Sequence, residues 1–82
     1  MAIKPRSGEL GTKNIVGAKI VHLRKERKIK QRDLLAQLQV EGMEINTTSL
    51  SRLEGQYRHV FDYEVVIMAR VLKITIDELL GV

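Results

Sequence analysis

Apolar residues recur at helical spacing in five short segments of this chain, and no segment alternates for long with the period of two typical of strands. Val16, Ile20 and Leu23 stand at i, i+4 and i+7, which predicts a first helix over about residues 14–28. With 82 residues, the segments can enclose only one modest core. The chain has no Cys and no Trp, so that core must consist of Leu, Ile, Val and Met without disulfides. We expect a single all-α domain.

Capping residues and interruptions of the pattern delimit the other helices. Asn46 is a good N-cap for helix three, Asp62 is the expected cap of helix four, and Thr75 with Glu78 forms a capping-box pattern. Residues 40–45 contain a glycine and two carboxylates, which predicts a turn. The predicted helices after the first are 31–39, 47–55, 61–72 and a short fifth helix from Thr75 to about Gly81.

The first thirteen residues lie outside this pattern. They contain Pro5, Gly8 and Gly11, so we expect a flexible arm at 1–13 and the folded domain at 14–82. The arm has basic residues but no apolar segment, and we expect no signal peptide. The longest apolar run, 65–69, is far shorter than the ~20 residues of a membrane span. These features favour a soluble, cytoplasmic protein that does not associate with membranes.

Charge is divided unevenly along the chain. Residues 1–32 hold ten Lys or Arg and two Glu, a net charge of +8. Residues 33–82 hold four basic and eight acidic side chains, a net charge of −4. Such a division favours a protein that presents one face to a polyanion, although a solvated surface would also accommodate it.

Enzymatic and metal-binding patterns are absent from the sequence. There is no Gly-rich phosphate loop, nucleophilic triad or pair of carboxylates at a useful spacing. The two histidines, His22 and His59, are too few and too scattered for a metal site. We therefore expect no enzyme, no cofactor and no metal.

Five pieces of the sequence, in order, resemble the lambda-repressor-like (Cro/repressor, XRE-type) family of helix-turn-helix DNA-binding domains. The resemblance covers about residues 14–81. It implies a five-helix fold in which helix 47–55 reads the major groove of a double-stranded DNA operator. It also implies that the protein regulates transcription as a repressor. The matching pieces are Val16-Gly17-x-x-Ile20-x-x-Leu23-Arg24, Gln31-x-x-Leu34-Leu35-Ala36, Leu50-Ser51-x-x-Glu54-Gly55, Glu64-Val65-x-x-Met68-Ala69-x-x-Leu72 and Ile76-Asp77-Glu78-Leu79-Leu80.

The resemblance assigns DNA contacts to two groups of residues. Helical angles agree with the first group, because a helix that turns Leu50 and Leu53 inward turns Ser51 and Arg52 outward. Arg is also the commonest reader of guanine. The base-reading positions map onto Thr47, Thr48, Ser51 and Arg52, and the phosphate-binding positions onto Gln31, Lys30, Arg32 and Arg58.

The family also implies a salt bridge between Arg24 and Glu54, with Arg27 as a rival partner by helical angle. The turn between helices two and three is about four residues longer than the usual three or four. The extra residues would either lengthen helix two or form a wing near the DNA backbone. Because Glu41 and Glu44 would repel phosphates, we expect this turn to point away from DNA.

Two kinds of partner remain open besides DNA. Discrimination in a genome requires paired domains, so we expect a homodimer through the C-terminal helix, with Leu79, Leu80 or Val82 and the outer stripe of helix four. That stripe, Val66, Ile67 and Val71, makes helix four apolar nearly all round. It also supports an alternative function, an antitoxin-like or regulatory module that binds a protein partner.

Overall fold

A computed structural model describes residues 13–82. Within this range the chain forms five α-helices and no strand, which confirms the all-α fold class. The predicted arm, apart from Lys13, lies outside the described residues. No helix in the described range is long and apolar enough to cross a membrane. The helices are α1 (Gly17–Glu26), α2 (Gln31–Val40), α3 (Thr47–Glu54), α4 (Asp62–Leu72) and α5 (Ile76–Leu80).

The core lies where all five helices meet. α1 packs against α3 and α5, α2 packs against α3 and α4, and α4 packs against α5. The core contains only aliphatic side chains and methionines, as the composition predicts. Its buried members are Val16, Ile20, Leu23, Leu34, Leu38, Met43, Ile45, Leu50, Leu53, Met68, Ala69, Leu72 and Leu79.

The helix caps agree with the sequence in two cases and differ in one. The Asn46 side chain accepts the Ser49 N–H at 2.8 Å, and Thr75 exchanges two 3.0 Å bonds with Glu78. The predicted Asp62 cap is wrong, because Asp62 is already the first helical residue of α4 and the N-cap lies one residue before it. Phe61 occupies the N-cap position there, and its N–H donates to the Glu64 carboxylate at 2.9 Å.

The long connection between α2 and α3 is a compact turn. α2 extends one residue beyond its predicted end, and Gly42 then adopts a left-handed conformation with φ of 98°. The Met43 N–H donates to the Leu38 carbonyl at 3.0 Å, which closes the helix end. Met43 and Ile45 are buried in the core, whereas Glu44 is exposed. The additional residues therefore fill the core instead of forming a wing.

One of the three C-terminal residues predicted for a dimer contact, Leu79, is not accessible at the surface. Leu79 is fully buried against the core, so it cannot contact a second copy. α5 has only five residues, and Leu79 is the one that faces the core. Ile76 and Val82 remain exposed at this end of the molecule.

Candidate nucleic-acid interface

Helix α3 presents a small polar face to solvent. Leu50 and Leu53 are fully buried and fix the helix against the core. The four residues that the sequence assigns to base reading all lie on the exposed surface of α3: Thr47, Thr48, Ser51 and Arg52. This face combines hydroxyl groups, threonine methyls and one guanidinium, which are groups that hydrogen-bond or touch base edges.

An ion pair joins α3 to α1. The Arg24 Nε lies 2.9 Å from Glu54 Oε2, and its Nη2 lies 3.1 Å from Glu54 Oε1. The expected Arg24–Glu54 pair is therefore present, with bidentate geometry. Arg27, the rival partner, instead donates to the Leu72 carbonyl at the end of α4. The pair holds the C-terminal end of α3 in a fixed position relative to α1.

Gln31 extends this network to α2. Its Nε2 donates to Ser51 Oγ at 3.2 Å and to Glu54 Oε1 at 3.1 Å. The first residue of α2 thus contacts the exposed face of α3. Both amide hydrogens of Gln31 have partners within the protein. A bond from this amide to a phosphate therefore requires that one of these two hydrogen bonds be broken.

Two cations flank the beginning of α2. Lys30 and Arg32 are both exposed, and Lys30 is the N-cap residue without a side-chain hydrogen bond. A helix without a side-chain cap leaves first-turn N–H groups available to an anion, and the helix dipole favours the same charge. This end of α2 therefore combines two exposed positive charges with backbone donors.

Arg58, a predicted phosphate ligand, forms several hydrogen bonds within the protein. Its guanidinium forms two hydrogen bonds to Glu64, at 2.8 and 3.1 Å, and its Nε donates to Ser49 Oγ at 3.0 Å. A further bond reaches the His59 carbonyl at 2.8 Å. These four bonds link the α3–α4 loop to α4, and a bond from the guanidinium to a phosphate would have to replace one of them or use its one remaining N–H.

Glu64 is buried beneath this loop, and its neighbours stabilise the ionised form of its carboxyl group. Burial alone would raise the pKa of its carboxyl group. Hydrogen bonds from Arg58 and from the Phe61 N–H, with the positive charge of Arg58, outweigh burial and hold the pKa below its usual value. The loop that follows α3 is thereby fixed to the first turn of α4.

A buried polar cluster, which sequence reasoning missed, ties the segment before α1 to the end of α3. Asn14 Nδ2 donates to the carbonyls of Leu53 and Arg58, at 3.2 and 2.8 Å, and its Oδ1 accepts the Gly17 N–H at 2.9 Å. Gln56 Nε2 donates to the Asn14 carbonyl at 3.2 Å. The only signal in the sequence is that Asn is a favoured residue just before a helix.

The described residues contain no group of three His, Asp or Glu side chains arranged to hold a metal ion. Comparisons of the chain with protein-family models, with curated proteins and with solved structures found no match. The functional conclusion therefore rests on the geometry of α2 and α3 and on the chemistry of their exposed side chains.

Proposed function

We propose that this protein is a sequence-specific regulator that binds a double-stranded DNA operator and represses transcription there. The observation that carries the proposal is the exposed face of α3, with Thr47, Thr48, Ser51 and Arg52 side by side. A helix with this face fits the major groove, where base pairs differ in their donors, acceptors and methyl groups. The lambda-repressor-like resemblance of the sequence supports the same reading helix.

The anchoring of α3 supports this role. Base reading requires side chains that are held in a fixed position, and α3 is bonded to α1 through Arg24 and to α2 through Gln31. Both connections converge on Glu54, so the reading helix and the N-terminal end of α2 form one rigid unit. In the proposal, DNA meets this unit as a whole.

The N-terminal end of α2 supplies the phosphate contacts. Lys30 and Arg32 neutralise phosphate charge, and the first-turn N–H groups of α2 donate hydrogen bonds. Arg58 is left out of this set because Glu64 holds its guanidinium. Gln31 contributes by exchanging its bond to Ser51 for one to a phosphate.

The alternative function, a module that binds a protein partner, has one supporting observation. A groove of about 420 Å³ lies between α2 and α4, with Ala36, Val40 and Val71 as apolar walls and Arg70 and Lys73 as cations. Val40, the last residue of α2, is 83% exposed and extends the apolar wall of the groove to the surface. Absence of binding to any selected DNA would favour this alternative.

Selection of bound duplexes from a random pool, followed by a salt titration, tests the proposal. If two copies each contact about three phosphates, the logarithm of the binding constant falls with the logarithm of salt at a slope of roughly −5. Lys30→Gln should reduce the magnitude of the slope by about one for each copy bound. Arg70→Gln, which removes an exposed cation of α4, is the matched control and should leave the slope unchanged. No enriched sequence, or a slope near zero, would refute DNA binding.

A further inference from the structure

The two strongest hydrogen-bond acceptors of α3 and its N-cap are occupied within the protein. The Glu54 carboxylate is the only acidic group of the helix, and its two oxygens are bonded to Arg24, at 2.9 and 3.1 Å. The amide oxygen of Asn46 accepts the Ser49 N–H at 2.8 Å and thereby caps the helix. Neither group can accept a hydrogen bond from a base without breaking a bond that holds α3 in place.

The hydrogen-bond donors of the same surface remain available. Arg52 is exposed, and its guanidinium forms no hydrogen bond or ion pair with any other described residue. Ser51 keeps its hydroxyl hydrogen for an acceptor, because only its oxygen is used by Gln31. The capping bond of Asn46 uses the amide oxygen alone, so its two amide hydrogens are also available. This surface therefore presents N–H and O–H groups but no free carboxylate or amide oxygen.

Asn46 lies at the end of α3 that is suited to contact bases. It is the exposed N-cap residue directly before Thr47, the first of the four predicted base-reading residues. A recognition helix contacts base edges in the major groove with its N-terminal residues. Asn46 therefore has a second role open to it besides capping.

The base edges of the major groove distinguish donors from acceptors. Guanine presents two neighbouring acceptors, N7 and O6, whereas cytosine presents an amino donor and adenine presents one acceptor beside an amino donor. An asparagine reads adenine by donating to N7 and accepting from the amino group at once. Asn46 cannot do this while its oxygen caps α3. The hydroxyls of Thr47 and Thr48 do not alter this preference, since they bond to either kind of group.

We propose that Asn46 is a further base-reading residue and that α3 reads acceptor atoms, with Asn46 and Arg52 each donating to N7 and O6 of a guanine. The amino groups of adenine and cytosine are not read by these two side chains. The inference rests on the proposed DNA binding and names the class of half-site. Such a half-site has a G·C pair at each of the two positions that Asn46 and Arg52 face.

Atom replacement in a selected half-site tests the inference with the wild-type protein. The two guanines are identified as the positions at which Asn46→Ser and Arg52→Ala relax the selected sequence. At each of them, 7-deazaguanine removes only the N7 acceptor and should lower the affinity roughly tenfold. Hypoxanthine is the matched control, because it retains N7 and O6 and lacks only an amino group of the minor groove. It should leave the affinity unchanged.

Two variants of Asn46 test the role of its amide without removing the cap, since serine and aspartate are both favoured N-caps. Asn46→Ser should become insensitive to 7-deazaguanine at its own position and remain sensitive at the Arg52 position. Asn46→Asp offers an acceptor in place of the amide donors, so the preferred base there should change from guanine to cytosine. Gln37→Glu adds the same charge to the exposed surface of α2 and should retain the wild-type sequence profile.

Three outcomes would overturn the inference. The first is adenine as the preferred base at the position that Asn46→Ser relaxes, because the amide oxygen would then have left the cap. The second is an Asn46→Ser profile equal to that of the wild-type protein, and the third is full affinity for duplexes with 7-deazaguanine. Selection without any enriched duplex refutes the proposed DNA binding instead, and this result is obtained before any base is replaced.

Discussion

The backbone of Gly17 in α1 lies directly against the Leu53 carbonyl oxygen at the end of α3, with no room for a Cβ between them. The obstacle is a backbone atom, which cannot move aside as the end of a flexible side chain could. Asn14 also fixes this glycine, because its Oδ1 accepts the Gly17 N–H. The approach of α1 to α3, and with it the position of the candidate reading helix, depends on this glycine.

Gly17→Ala should therefore destabilise the fold by about 2–3 kcal/mol, because overpacking forces the two backbones apart. Gly55→Ala is the matched control, since its new Cβ would press mainly on the exposed ring of Tyr57. We expect that control to change the free energy of unfolding by less than about 1 kcal/mol. Chemical denaturation of the two variants measures the difference, and equal losses would contradict this account of the α1–α3 contact.

Arg24 and Glu54 should be energetically coupled. Their side chains are 16% and 7% exposed, so removal of either partner strands a largely buried charge. Glu54→Ala should cost about 3 kcal/mol, near the lower end for a buried pair. The double variant Arg24→Ala/Glu54→Ala should lose clearly less than the sum of the single losses. Additive losses in denaturant melts would show that the two side chains act independently.

The Arg58–Glu64 pair predicts a pH dependence of stability. Because the folded state lowers the pKa of Glu64, the carboxylate form is favoured on folding. The stabilisation is present above the unfolded pKa, near 4.5, and is lost as pH falls through the lower folded pKa. Glu64→Gln should thus be less stable than the wild-type protein at neutral pH, with a difference that shrinks below about pH 4.5.

Denaturant melts from pH 7 to pH 3 measure this difference. Glu41→Gln, which removes an exposed carboxylate at the end of α2, is the control over the same range. A gap between wild type and Glu64→Gln that stays constant down to pH 3 would mean that the Glu64 charge contributes nothing to the pair.

A residue with left-handed backbone follows each of the five described helices within two positions, and three of these residues are not glycine. Lys73, after α4, is exposed and has φ of 57° and ψ of 46°. The left-handed conformation costs an L-residue about 1 kcal/mol, and glycine avoids this cost at the expense of more unfolded-state entropy. Lys73→Gly should therefore raise the stability slightly, by about 0.5 kcal/mol.

Lys25→Gly is the matched control for this prediction. Lys25 is an exposed lysine in the last turn of α1, where the backbone is right-handed and glycine should lower the stability by about 0.5 kcal/mol. Thermal melts of the two variants should move in opposite directions. A loss of stability in Lys73→Gly would indicate that the lysine makes a stabilising contact beyond its backbone conformation.

Helical periodicity predicted the parts of this molecule that depend on local pattern. It placed Leu50 and Leu53 inward and Arg52 outward, since one turn of helix fixes these directions. Arg58 could not be placed in this way because it lies in a loop without a period. The sequence of its ion-pair partner, Glu64, nevertheless indicated that a cation must lie nearby. Glu64 stands four residues before Met68 on the buried stripe of α4, and a charge on such a stripe requires a bonded partner.

The remaining differences arise from tertiary contacts. The bonds of Asn14 and Gln56 span about forty residues of sequence, and no local pattern encodes them. Lys28 and Gln56 adopt left-handed conformations that local preference assigns to Gly or Asn. The surrounding helices hold these residues in place, so their conformations follow from packing of the whole domain.

The role of Arg52 provides the sharpest functional prediction. If its guanidinium reads one base pair in each half-site, Arg52→Ala should lower affinity by about 1–3 kcal/mol for duplexes with the preferred base pair and much less for the others. Lys30→Gln should instead weaken binding to all sequences by a similar factor, because phosphates carry no sequence information. Selection profiles of the two variants against the same random pool measure this difference. An Arg52→Ala profile identical to that of the wild-type protein would mean that another part of α3, or another helix, reads the bases.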